Sequence, residues 1–209
     1  MRRIIKDEAP EFWIKYIRKN PKITYKKAYQ TEPGREVIDK IREHMVSQQK
    51  FICCYCCSSL PTKNKQYHNE HIKPQSRYPQ VSMDYNNLLV SCNSSSCGKS
   101  KEDDYDEGLF VSPLQENCEA HFRYQRDGYI VGVTKQGKYT IMVLNLNCPR
   151  LVEERMELYN NCCRMAECGC AEYIEEEYIT EKDGRLPRYV NMVKYFFDKG
   201  EFEALSPNN

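Results

Sequence analysis

Cys53-Cys54-Tyr55-Cys56-Cys57 holds two overlapping Cys-x2-Cys pairs, and Cys92 and Cys97 form another pair well downstream. Four thiolates close a tetrahedral zinc shell, and the turn inside Cys-x2-Cys aims both sulfurs at one ion about 2.3 Å away. Cys53, Cys56, Cys92 and Cys97 are assigned to that shell as ligands of a structural Zn²⁺; from the residues alone, Cys54 and Cys57 can stand in for Cys53 and Cys56. A redox Cys-x2-Cys is the competing reading, but it expects a flanking strand and helix and leaves Cys92 and Cys97 unexplained. Residues 53–101 are poor in regular apolar period and rich in Cys, His, Asn and Ser, as segments organised by a metal usually are.

Outward from this centre the composition is ordinary. The 209 residues are 40% hydrophobic and 29% charged, which suits a globular chain and excludes a disordered or collagen-like one. The 12 cysteines fall below the ~8 to 10% that marks a short secreted disulfide scaffold. The apolar run Ile141 to Leu144 is far short of the ~20 residues of a bilayer crossing. Charge returns directly after Ile4 and Ile5, so no secretory leader is read and a cytoplasmic protein without membrane contact is expected. The net charge of +1 hides a polarity. Residues 1–101 carry 19 Lys and Arg against 9 Asp and Glu, whereas residues 102–209 carry 12 against 21. A basic half suits a polyanion, whose bound counterions are released on contact, and an acidic half suits solvent or a protein partner. Two solvated faces of one domain would show the same split.

Local signals predict helices over Pro10–Asn20 and, after a Pro33-Gly34 turn, over Arg35–Gln49, where Val37, Ile38, Ile41 and Met45 recur at helical spacing. Glu102 to Glu107 reads as an acidic loop. Phe122 and Tyr124, then Asp127-Gly128 and Tyr129–Val133, predict a hairpin with a type I′ turn, and Thr140–Leu146 a further strand. Asn147 is expected to cap a helix through Arg164 with Leu151, Arg155, Leu158 and Cys162 on one stripe, and Pro187–Lys199 a last helix ended by Gly200. The chain thus divides into an N-terminal helical segment (1–50), a central metal-organised core (51–105) and a C-terminal hairpin and helical section (106–209), an α+β organisation. Cys162, Cys163, Cys168 and Cys170 are a weaker second metal set, because helical period alone explains Cys162.

Between the cysteine pairs lie Glu70-His71-Ile72-Lys73-Pro74 and Asn87-Leu88-Leu89-Val90-Ser91-Cys92. A neutral His accepts a proton from water near pH 7, so His71 is the candidate general base. The carboxylate of Glu70 offers hard oxygen to a catalytic Mg²⁺ or Mn²⁺. Strand alternation sends neighbouring side chains to opposite faces, so the two converge on one phosphate only at a bend or strand end. Lys73, Arg77, Lys99 and Lys101 flank these motifs as candidate nucleic-acid contacts, or as merely solvated cations.

An acidic residue before His, then Asn87 five residues before a zinc cysteine, resembles the HNH endonuclease motif. EHIKPQSRYP, DYNNLLVSC, RRIIKDEAPEFW, CEAHFRYQRDGYIVG and TIMVLNLNCPRL further resemble the HNH nuclease subunit of Septu antiphage systems and their retron-linked relatives, over most of the chain to about Arg155. The resemblance implies a ββα-metal core on a four-cysteine knuckle, hydrolysis of nucleic acid with DNA favoured, Asn87 as an orienting residue, and an ABC-type ATPase partner. Where most members carry His or Asn directly after the last zinc cysteine, this chain has Gly98, which brings no ligand. His68, sharing a strand face with Glu70, ranks first as the replacement, ahead of Asn93, Asp103, Asp104 or water. A zinc-knuckle adaptor without catalysis, binding nucleic acid or protein, is the alternative, and duplex DNA, single-stranded DNA and RNA remain open as substrates.

Overall fold

Threonine and proline set the starts of the N-terminal helices. The computed structural model of the protein describes residues 1–62 and 66–205. Helix α1 (Glu11–Lys19) follows Pro10 and buries Trp13. The Thr24 hydroxyl accepts from the Lys27 amide to start α2 (Tyr25–Tyr29), an element with too few residues for its period to announce it. Thr31 caps α3 (Glu32–Gln48) through the Gly34 amide, so Pro33 and Gly34 lie in its first turn and make no separate turn before it. Ile38, Ile41 and Met45 of α3 are buried, as their spacing requires.

The central segment forms a two-stranded antiparallel sheet and a single helical turn. Strand β1 (Tyr67–His71) pairs with β2 (Leu88–Cys92) in the register Tyr67 to Cys92 through His71 to Leu88. Helix α4 (Gly98–Lys101) follows. Lys6 ties the N-terminal segment to this hairpin: its ammonium donates to the Leu88 carbonyl at 2.8 Å and lies 3.4 Å from the Tyr85 ring centroid. Burial pushes that ammonium down to about 7, with Asp84 working the other way.

The second section corrects three expectations. Strands β3 (Phe122–Tyr124) and β4 (Ile130–Gly132) do pair antiparallel. Their turn, however, closes from the Gly128 amide to the Gln125 carbonyl and from the Gln125 amide to the Tyr129 carbonyl. Gly128 has φ +85° and Asp127 has no positive φ, which is a bulged hairpin and not type I′. Residues 140–143, read as the start of a strand, complete helix α5 (Lys135–Val143). Thr134 caps that helix through the Gly137 amide, and the Thr140 hydroxyl accepts from the Val111 amide at 2.8 Å, so a β-branched residue serves a helix by its tertiary bond. Asn147 caps nothing; its amide brackets the Ile130 backbone at 2.9 Å in both directions, and α6 (Pro149–Glu167) starts from Cys148 with Pro149 in its first turn. The stripe Leu151, Arg155, Leu158 and Cys162 is buried as read. Helices α7 (Glu172–Tyr178) and α8 (Val190–Phe197) complete the section, with Gly200 at φ +67° beyond α8. One apolar cluster joins Trp13, Ile38, Leu88 and Val90 to Leu146, Leu158 and Phe202. Among the described residues no helix is long and apolar enough to cross a membrane.

Candidate functional site

The Sγ atoms of Cys53, Cys56, Cys92 and Cys97 all lie within 4.8 Å of one another, and all four residues are buried. Two sulfurs bound tetrahedrally at about 2.3 Å stand about 3.8 Å apart. The Cys56 and Cys92 sulfurs are 3.9 Å apart, so the thiols fit a zinc ion. Backbone holds the pairs in place. The Cys92 amide donates to the Cys53 sulfur at 3.4 Å, and the Cys54 amide to the Val90 carbonyl at 3.1 Å. Burial opposes a charge on Cys53, but hydrogen bonds from Cys54, Cys56, Cys92 and Cys97 outweigh it and hold this thiol well below its usual range. Cys54 and Cys57 stand outside the group, which settles the register of the overlapping pairs. Among the described residues Cys162, Cys163, Cys168 and Cys170 make no such cluster.

Glu70 lies under this knuckle, 5% exposed. Its Oε1 accepts from the Tyr55 hydroxyl at 3.0 Å and from the Lys101 ammonium at 3.0 Å. Its Oε2 faces His68 Nε2 at 3.4 Å. Burial would raise the carboxyl, yet His68 and Lys101 outweigh it and keep its pKa below the ordinary value. The Asn93 side-chain oxygen accepts from His68 Nδ1–H at 2.8 Å, which leaves Nε2 with its lone pair in the neutral ring. Burial works against a proton on His68 and Glu70 and Asn93 work for it, with a net rise. Two cis ligands of an octahedral ion stand about 3 Å apart, so His68 Nε2 and Glu70 Oε2 fit one divalent cation with a small adjustment.

Gly98 forms the opposing wall. A Cβ there would meet Glu70 Oε2 at 2.2 Å and His68 Nε2 at 2.8 Å. The glycine that brings no ligand therefore leaves room for these two side chains where they stand, and any Cβ would make them shift.

His71 is the last residue of β1, but the expected convergence with Glu70 is not seen there, because strand alternation still sends the two side chains to opposite faces. Its ring leaves the strand toward Tyr25, edge-on at 4.7 Å and 88°, whereas Glu70 leaves toward Tyr55 and Lys101. Its Nε2 donates to the Ser82 carbonyl at 3.0 Å, since a carbonyl only accepts, and this fixes Nδ1 as the basic nitrogen. Burial lowers the pKa of the ring. Asn87 braces the intervening loop: Oδ1 accepts from the Lys73 amide at 2.7 Å, and Nδ2 donates to the Lys73 and Val81 carbonyls at 3.1 and 3.2 Å.

Lys101 corrects the list of outward cations. Its side chain is 2% exposed, and its ammonium bonds the Glu70 carboxylate and, at 3.0 Å, the His71 carbonyl, so it does not reach a phosphate outside. Lys73 pairs with Glu107, Arg77 donates to the Tyr105 carbonyl at 2.7 Å, and Lys99 is exposed. Tyr55 and Tyr25 escaped the sequence reading, and Asn93, read there as a possible ligand, instead holds His68 Nδ1. Only Tyr55, enclosed by the cysteines, carried a positional signal.

No model of a known protein family matches the chain. It is 32% identical over 130 residues, 55% of this chain and 61% of the other, to the assigned HNH endonuclease of retron Vc95 from Vibrio cholerae serotype O1 biovar El Tor. The corresponding protein of retron Ec83 from Escherichia coli is 27% identical over 213 aligned residues, 78% of this chain and 82% of the other. Septu protein PtuB of Bacillus thuringiensis is 31% identical over 105 residues, 50% of this chain and 40% of the other. The matches therefore span under two thirds of the Vibrio and Bacillus relatives.

Proposed function

We propose that this chain, a relative of the HNH endonucleases linked to Septu and retron defence, is itself a metal-dependent endonuclease that hydrolyses phosphodiester bonds, with DNA the favoured substrate. In this reading β1, β2 and α4 are a ββα-metal core, and zinc on Cys53, Cys56, Cys92 and Cys97 is structural. The observation that carries it is the pairing of Glu70 Oε2 with His68 Nε2 at 3.4 Å, on the strand that also ends in His71, whose tautomer is already chosen.

Glu70 and His68 would hold the catalytic cation. Bound Mg²⁺ or Mn²⁺ supplies polarisation of the scissile phosphate and charge for the departing alkoxide. His71 Nδ1 takes the proton of the attacking water while Nε2 keeps its bond to Ser82. Asn87 fixes the loop that presents the Ser82 carbonyl, and so positions the imidazole. Lys101 joins the Glu70 carboxylate to the His71 backbone and keeps the acid ionised before metal arrives. A mixed nitrogen and oxygen pair favours Mn²⁺ over Mg²⁺. Lys73, Arg77 and Lys99 are left as the phosphate contacts outside the site.

Residues 51–105 carry this chemistry and residues 1–50 support it. The acidic section 106–209 is the face for an ABC-type ATPase of a Septu system. The test is cleavage of DNA by the purified protein, alone and with its partner, in Mg²⁺ or Mn²⁺ beside His71→Ala. Loss of a general base is expected to slow cleavage roughly 10²- to 10⁴-fold. Cleavage that survives the substitution rejects His71 as the base, and none under any condition leaves the zinc-knuckle adaptor.

A further inference from the structure

We infer that the cavity beside α2 is a stacking subsite for an unpaired nucleotide, so that the preferred substrate strand is single-stranded next to the bond to be cut. The inference rests on the nuclease reading only for its last clause. The cavity has a volume of about 820 Å³, and Tyr25, Lys26, Tyr29, Gln30 and Gln75 are among the residues lining it. Ser82 lines it too. Tyr25 and Ser82 are the two residues that hold the His71 ring, one by its edge and one by its carbonyl. An occupant of the cavity is therefore one side chain away from the proposed base.

The lining suits a nucleobase. Tyr29 stands one helical turn beyond Tyr25 with its ring plane within 10° of parallel, centroids 6.5 Å apart, and is 54% exposed. Tyr29 is the most exposed aromatic ring among the described residues, and the other outward residues of its helix are lysines. Exposed rings of this kind stack bases without reading them, because every base has a π face. Gln30 and Gln75 supply donors and acceptors for base edges, and among the described residues no carboxylate lines the cavity. Residues 21–30 carry Lys22, Lys26 and Lys27 and no acid, all three lysines exposed, so the rim attracts a phosphate backbone. A duplex hides its base faces in its own stack, which leaves an unpaired strand as the occupant of this ring and rim. The sugar is read by neither.

The test is anisotropy of a labelled twelve-nucleotide thymidine strand, its uridine counterpart and a duplex of equal length, with zinc retained and no other divalent cation. Tyr29→Ala, at an exposed position, is expected to weaken single-strand binding about tenfold and duplex binding by less than about twofold, with Tyr29→Trp retaining the affinity of the parent. The stronger of the DNA and RNA arms names the sugar. Single-strand binding that is indifferent to Tyr29→Ala, an equal loss on duplex, or no single-strand binding by the parent overturns the inference. Tyr29-dependent binding without any cleavage removes the nuclease reading alone, and His71-dependent cleavage with Tyr29-independent binding removes the subsite alone.

Discussion

Gly98 separates the proposed ligand set, built from β1 alone, from one that borrows a side chain from the following helix. Alanine at this position would press on the Glu70 carboxylate and the His68 ring from 2.2 and 2.8 Å. Gly98→Ala is therefore expected to cost about 1 to 3 kcal/mol of stability and to cut cleavage more than stability accounts for, read by thermal melts beside rates in Mn²⁺. His71 sets the pH dependence. The neutral ring is the proposed base, and burial lowers its pKa, so protonation sets in only below its usual value of about 6.5. The cleavage rate should stay level from pH 8 down to about 6.5 and fall as acid protonates the ring, whereas a rate that rises with acidification would contradict the assignment. At this scale Glu70 and His71 were singled out by residue type in one short segment, and Asn87 by the resemblance. Lys101 was not: one basic residue among several reads as surface until burial and a 3.0 Å bond to Glu70 give it another office.

A two-stranded sheet is marginal alone, and β1 and β2 have only each other in the ladder. Their support comes from the thiol cluster, from the Gln49 amide bonded to the Val90 backbone at 2.7 and 2.9 Å, and from Lys6. Stripping zinc with a strong chelator should therefore lower the melting temperature and abolish cleavage together, and zinc alone, without Mg²⁺ or Mn²⁺, should restore the melt but not the rate. The knuckle was readable from cysteine spacing, and α3 and α6 from their buried stripes. Residues 140–143 were misread because Thr140, Ile141 and Val143 have the composition of a strand. What decides for helix is the Thr134 cap and the backbone of Val111, a partner remote in sequence.

Across the whole molecule the basic residues 1–101 and the acidic residues 102–209 share one apolar core. The Ile4 amide donates to the Pro113 carbonyl at 2.8 Å, and the Arg3 amide to Glu119 at 2.9 Å, so the basic end is stitched to the acidic section. Nucleic-acid affinity should fall linearly in a plot of log K against log salt, with a slope of about −2 or steeper if Lys22, Lys26 and Lys27 each meet a phosphate. A flat plot would place binding elsewhere. The charge split was visible in the sequence, but its stitching was not, because it depends on contacts more than a hundred positions apart. One feature of the site reaches further. Tyr55 lies between the sulfurs of one pair and Gly98 directly follows the last cysteine, so both walls around Glu70 hang from thiols. Peroxide that joined those thiols as disulfides would leave no thiolates for an ion and let both walls drift, undoing the proposed site without touching an atom of Glu70 or His68.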